Sequence, residues 1–166
     1  MPVAERSGAG RWLIVAASAA VVLLVDQLSK WWATERLRGE APLDVVWTLR
    51  FNYAENTGMA FSTGAGHGWL IGLIACSIVA VLLVTARKVD SRVQLVLIGV
   101  VIGGALGNVV DRLTRGDSGF MSGAVVDFID LQWWPIFNVA DAAVVVGGIL
   151  LAITMLRAPE GAAPSA

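Results

Sequence analysis

The residues of this sequence best suited to chemistry are acids and amides set at the edges of apolar runs. Asp127 stands in Val125-Val126-Asp127-Phe128, and Asp141 in Phe137-Asn138-Val139-Ala140-Asp141. Asp141 is at the threshold of a run, continuing to Leu156, that is otherwise fit for lipid. An ionisable group there is costly and needs a reason. Asp26 and Lys30 are four apart, an offset that lets them pair on one helix face. Asn108 and Asp111 are three apart with Arg112 adjoining, and Asn138 and Asp141 repeat the three-residue offset. Two carboxyls held close cannot both ionise and share one proton. One then serves as base on a water, the other as acid on a carbonyl or a leaving amine. Spacing alone does not choose the pair among Asp26, Asp111, Asp127, Asp130 and Asp141.

Other chemistries fit less well. The chain has one cysteine and one histidine, too few for a disulfide or a typical zinc site. Cys76 lies inside an apolar run and reads as packing. His67 lies in a glycine-rich loop, Gly64 to Gly68, and reads as solvated. No metal and no cofactor is expected. A serine–lysine pair could use only Lys30. Its neighbour Ser29 points elsewhere on a helix, which leaves Ser62 and Ser122. A net charge of -1 argues against nucleic acid as a partner.

The elements that must hold these groups are membrane spans. Hydrophobic residues make up 57% of the chain and charged ones 15%, with a mean hydropathy of +0.72, too apolar for a soluble domain. Four runs, about 12–32, 69–86, 93–110 and 138–156, approach the ~20 residues that cross a bilayer core. They predict a single membrane domain over 1–166 with outer loops at 33–68 and 111–137. The run at Ala16 to Ala20 resembles a cleavage site, but Val21 to Val25 extends it too far for a signal peptide, so a retained helix is expected. Trp12, Trp31, Trp32, Trp69, Trp133 and Trp134 mark span ends. Gly99, Gly103 and Gly107, with Gly104 beside them, form a ridge for close helix packing. The β-branched and aromatic stretch 45–53 predicts one or more strands.

Basic residues set the orientation. Arg6 and Arg11, then Arg87, Lys88 and Arg92, then Arg157 fall on one side, predicted to be cytoplasmic, with both termini there. Asp26, Lys30, Asn56, Asn108, Asp111, Asp127, Asn138 and Asp141 then all lie toward the opposite face. An ion or proton path would be polar through the whole thickness. The one-sided pattern favours a surface site over a carrier, and a scaffold held by the glycine ridge would need no acids.

Five segments, Asp26-Gln27-Leu28-Ser29-Lys30, Asn56-Thr57-Gly58-Met59-Ala60-Phe61, Gly103 to Arg112, Val125 to Phe128 and Phe137 to Asp141, occur in this order. Together they resemble the bacterial lipoprotein signal peptidase (signal peptidase II) family. The resemblance implies an all-α membrane protein of four transmembrane helices, with a small extracytoplasmic β-cradle and a short interfacial helix. It implies an aspartic endopeptidase of the bacterial cytoplasmic membrane that works at the extracytoplasmic face. Its substrates would be diacylglyceryl-modified prolipoproteins, cut just before the lipidated cysteine, with membrane lipid as its surroundings. Asp127 and Asp141 would be catalytic. Asp26, Lys30, Asn56, Gly58, Asn108, Asp111, Arg112 and Asn138 would support the site or position substrate. A globomycin-type cyclic peptide would inhibit it. One departure is the stretch Asp117 to Ser122, which makes the connection into Asp127 longer than is usual in the family.

Overall fold

The computed structural model describes residues 8–58, 68–116 and 120–157. Four helices are long and apolar enough to cross a membrane: α1 (Gly8–Leu37), α2 (Gly68–Ala86), α3 (Arg92–Thr114) and α4 (Val139–Leu156). Three strands accompany them: β1 (Leu43–Val46), β2 (Leu49–Asn56) and β3 (Val125–Asp130). In lipid, helices are imposed because each backbone N–H and C=O must find its partner within the segment. These helices overlap the four runs expected from the sequence, with different ends: α1 begins at Gly8 and continues past Trp32 to Leu37, and α3 continues past Val110 to Thr114.

α3 is the axis of the bundle. Over half of its apolar window, 56%, is buried, against 6% for α1 and 17% for α4. It packs against α1, α2 and α4. The glycine ridge explains how. A Cβ on Gly99 would lie 2.6 Å from the Val15 carbonyl oxygen, and one on Gly103 2.5 Å from that of Ala19. Both glycines therefore let α1 lie backbone to backbone on α3. Gly104 faces the other way, where a Cβ would meet the Ala140 carbonyl oxygen at 2.6 Å. Gly107 leaves room for the Asp26 carboxylate itself. Since lipid supplies no hydrophobic drive between helices, such close contact is a main source of association.

The strands form one antiparallel sheet in the order β1-β2-β3. β1 and β2 were foreseen in the 45–53 stretch. β3, which carries Asp127, was not. β2 pairs with β3 in the register Arg50↔Asp130, Ala54↔Asp127 and Asn56↔Val125. The sheet sits on the C-terminal turns of α1. Trp32 lies edge-on to Phe51 and Phe128 at centroid distances of 5.2 and 6.2 Å, over a core of Ala33, Leu37 and Val126. Trp32 is thus a packing residue and not part of an interfacial belt, whereas Trp31 beside it is exposed. After β3 the chain loops through 131–136 and returns, with Phe137 bridged to Ile129 by reciprocal backbone bonds of 2.8 and 3.0 Å. That return delivers Asn138 to the side of β3. No separate short helix occurs among the described elements, so the interfacial helix implied by the resemblance is not among them. His67, Ser62 and residues 117–119 of the long connection lie outside the described residues.

Candidate active site

The site is built on a buried ionic cluster. Lys30, Asp26 and Asp111 are each 0% exposed. The Lys30 Nζ lies 2.8 Å from Asp26 Oδ2 and 2.9 Å from Asp111 Oδ2, and donates to Asn108 Oδ1 at 2.9 Å. All three ammonium hydrogens thus have acceptors, as burial of a charge requires. Both carboxylates also hold backbone. Asp26 Oδ1 accepts from the Ala140 N–H at 2.9 Å, satisfying an otherwise orphaned donor in the first turn of α4. Asp111 accepts from the Val126 N–H at 3.3 Å and pairs with Arg115 at 3.0 Å. One cluster therefore joins α1, α3, α4 and β3.

Asn108 carries this order to the first of the two remaining acids. Its Nδ2 donates to Asp141 Oδ1 at 2.7 Å. Asp141 occupies the third position of α4, in a capping box with Asn138. The Asn138 N–H donates to Asp141 Oδ2 at 3.2 Å and the Asp141 N–H donates to Asn138 Oδ1 at 2.9 Å. The three-residue offset in the sequence is this cap.

Asn138 also reaches the second acid. Its Nδ2 donates to Asp127 Oδ1 at 2.7 Å, so one residue holds one carboxyl by its backbone and the other by its side chain. Asn56 Nδ2 donates to Asp127 Oδ2 at 3.2 Å. The Gly58 N–H in turn donates to Asn56 Oδ1 at 3.2 Å, which sets the amide so that its nitrogen faces the acid. Burial, and then the neighbouring Asp141 carboxylate, push the Asp127 pKa up to about 7, against the pull of the Asn56 and Asn138 hydrogen bonds and the Lys30 charge. Among the described residues neither Asp127 nor Asp141 has an ion-pair partner, whereas Asp26 and Asp111 share Lys30 and Asp130 is paired with Arg50 at 2.7 Å. Burial alone would raise the Asp130 pKa. Bonds from Asn52, Arg50 and the Gln132 N–H outweigh it and hold Asp130 below the usual carboxylate range.

Arg112 completes the neighbourhood. It is 4% exposed, and among the described residues its Nη1 has no hydrogen-bond partner. A Cβ on Gly68 would lie 2.8 Å from that atom, so the start of α2 is cut away to admit the guanidinium. Arg112, Asn108 and Asp141 line one hollow between α2, α3 and α4.

The family model described as signal peptidase (SPase) II matches residues 18–157. The chain belongs to the signal peptidase II family. The chain is 40% identical over 136 residues to the lipoprotein signal peptidase of Mycobacterium avium (strain 104), covering 81% of this chain and 74% of that protein. It is 39% identical over 147 residues to that of Rhodococcus jostii (strain RHA1), covering 88% and 74%. In structure it is similar to a solved bacterial membrane enzyme, with a TM-score of 0.73, 26% identity, and coverage of 92% of this chain and 93% of the other.

Within this signal peptidase II fold, the supporting residues expected from the sequence, Arg112 apart, lie in one connected hydrogen-bonded network. Asp26, Lys30, Asn108 and Asp111 form its base, Asn56, Gly58 and Asn138 its link to the acids, and Arg112 its flank. The serine–lysine alternative loses its base, because Lys30 is held between two carboxylates. Ser29 donates to the Asp26 carbonyl of its own helix at 2.8 Å. Gln27 and Arg115 escaped sequence reasoning. The Gln27 amide reaches Asp26, the Gly107 carbonyl and Asp111, each at 3.2 Å. Its place beside Asp26 at the lipid-embedded end of α1 was the available signal, since an uncharged polar side chain there also needs partners.

Proposed function

We propose that this chain removes the signal peptide from diacylglyceryl-modified prolipoproteins, cutting just before the lipidated cysteine, with Asp127 and Asp141 as its catalytic pair. The supporting observation is that these two acids share Asn138 and are otherwise met by neutral amides, while the other buried acids are committed to cations. With one proton between the two carboxyls, Asp127 carries it and Asp141 takes a proton from water. The water oxygen attacks the carbonyl carbon before the cysteine, and Asp127 protonates the carbonyl oxygen. Collapse of the tetrahedral adduct breaks the C–N bond as the cysteine nitrogen takes the proton that Asp141 gained from water, and Asp127 recovers its own from a hydroxyl of the adduct, which restores the pair to one proton. Asp26, Lys30, Asn108 and Asp111 hold Asp141 in place. Asn56, Gly58 and Asn138 hold Asp127, and Arg112 is directed at substrate carbonyls.

The same reading makes the chain one multi-pass domain of the bacterial cytoplasmic membrane, with the site at the outer face and both termini inside. Arg11 supports it. Its Nη2 pairs with Asp90 at 2.8 Å and its Nη1 donates to the Arg87 carbonyl at 3.0 Å. The start of α1 therefore lies with the basic α2–α3 link, at the end of the bundle away from the acids. The deciding assay is cleavage of a diacylated prolipoprotein by the purified chain in micelles, with mass analysis of the products. Cleavage before the cysteine, unaffected by excess chelator and blocked by a globomycin-type cyclic peptide, is expected. Loss of activity in chelator would point to a metal enzyme.

The raised Asp127 pKa predicts the alkaline side of the rate profile. The proton needed for the reaction is lost as pH rises through about 7, so kcat/KM falls there, with an apparent pKa that belongs to the coupled pair. Asn56 stabilises the ionised form of Asp127 by hydrogen bonding. Asn56→Ala therefore raises the pKa further and moves the alkaline limb to higher pH. A limb that moves to lower pH, or that is absent in the parent chain, contradicts the assignment of Asp127 as the acid.

A further inference from the structure

Two apolar hollows meet at Asp141. The one between α2, α3 and α4 encloses about 220 Å³. The other encloses about 480 Å³ and lies between the outer turns of α4 and the loop after β3, walled by Trp133, Trp134, Phe137 and Val146. Asp141 and Val145 line both. Being four apart, they make a ridge along α4 that divides the two spaces.

We propose that the hollow beside Trp133 and Trp134 seats an acyl chain of the diacylglyceryl group on the substrate cysteine. This rests on the peptidase reading above and adds to it the place of the lipid. Such a substrate has two apolar limbs that part at the scissile bond, the signal peptide before it and the lipid on the cysteine after it. The peptide limb brings backbone N–H and C=O groups that need partners inside a membrane. The smaller hollow offers them Asn108 and the buried, unpartnered Nη1 of Arg112. A hydrocarbon chain needs no partner, and among the described residues the larger hollow is lined by apolar and tryptophan side chains apart from Asp141 itself. Its volume falls within the roughly 300–1,000 Å³ of pockets that hold small ligands. Trp133 and Trp134 precede the first turn of α4, are exposed, and stand edge to face with centroids 6.3 Å apart, as tryptophans placed at a membrane interface do. The loop is anchored from behind, where Gln132 Nε2 donates to the Thr48 carbonyl at 3.0 Å. The wall is therefore tied to the sheet.

The test compares two synthetic prolipoprotein peptides that differ only in the lipid on cysteine, dipalmitoylglyceryl or dihexanoylglyceryl, in micelles of fixed composition. The parent chain is expected to show a higher kcat/KM for the long-chain substrate. Val146→Trp fills the larger hollow. It is expected to lower the long-to-short ratio about tenfold, the equivalent of roughly two methylenes no longer buried, while the short-chain substrate stays within about twofold of the parent. Ile74→Trp fills the smaller hollow and is expected to slow both substrates together, leaving the ratio intact. Trp133→Ala removes part of the wall at an exposed position and lowers the ratio as well, which keeps the test in force if Val146→Trp does not fold. A parent ratio of one, or a ratio unchanged in the folded Val146 or Trp133 variant, overturns the proposal. So does an Ile74→Trp ratio that falls as far as the Val146→Trp ratio. Failure of the parent chain to cleave either substrate would instead count against the peptidase reading.

Discussion

Asp127→Asn and Asp141→Asn are each expected to lower cleavage of a diacylated prolipoprotein by about 10³–10⁴-fold or more, the scale on which general acid–base catalysis operates. Both substitutions keep the shape of the side chain. At position 141 the amide oxygen can still accept from the Asn138 N–H, so the cap of α4 survives while the proposed base is lost, and the Asn108 amide, which donates to the other oxygen, has to turn. At position 127 the carboxyl now accepts from two amides, Asn56 and Asn138. An Asn there can accept from only one of them in that geometry, so the other amide has to turn. The signature that separates this from misfolding is stability. The folded-state pKa of Asp127, about 7, lies above its ordinary value of 3.8. The native protein therefore binds its proton more tightly than the unfolded chain does, and stability is lost as pH rises from about 4 through 7. Asp127→Asn cannot ionise and escapes that loss. Its thermal midpoint in detergent, relative to the parent, is expected to be higher at pH 8 than at pH 4.5, even though its activity is gone. Normal turnover in either variant would sink the assignment. A stability difference with the opposite pH trend would sink the account of Asp127.

The second large effect concerns Lys30. Lys30→Met leaves the shape of the stem but removes the cation shared by Asp26 and Asp111. Breaking a buried pair by deleting one member costs roughly 3–5 kcal/mol, because a charge is left uncompensated in a low dielectric. The two acids are not equivalent. Asp111 keeps Arg115 at 3.0 Å, whereas the other partners of Asp26 are neutral groups, the Ala140 N–H and the Gln27 amide. Adding Asp26→Asn to Lys30→Met is therefore expected to recover more stability than adding Asp111→Asn. Thermal unfolding of the detergent-extracted proteins reads both comparisons. A single Lys30→Met variant within about 1 kcal/mol of the parent would mean that water or lipid headgroups reach the cluster, and would overturn its description as a sealed ionic core. Activity should fall as well, since Lys30 sets Asn108, and Asn108 sets Asp141.

These two predictions differ in how far the sequence alone could have made them. The Asp26–Lys30 pair is a property of one helix. Residues four apart share a face wherever a span forms, and two opposite charges facing lipid have strong reason to meet. The capping link between Asn138 and Asp141 is local in the same way, as is the glycine ridge that brings α3 against its neighbours. Sequence reasoning foundered where the partner was remote. β3 reads as a short apolar stretch in a loop, and its pairing with β2 depends on a strand far back in the chain. Trp32 reads as an interfacial ring because nothing nearby in the sequence says that Phe51 and Phe128 will cover it.

By itself, then, the sequence determined the four spans, their one-sided polarity and the pairs internal to each helix. Lipid leaves the backbone no alternative to the helix, and helical periodicity is a local rule. The choice of Asp127 as the partner of Asp141 was not local, and only a family resemblance suggested it. Tertiary structure decided which acids are left without a cation. Asp111 turns toward Lys30 across the α1–α3 contact, Asp130 meets Arg50 across two strands, and the bridge from Phe137 to Ile129 carries Asn138 back to Asp127. Each step depends on loop closure and strand register, which are set by packing between distant segments and leave no periodic trace along the chain.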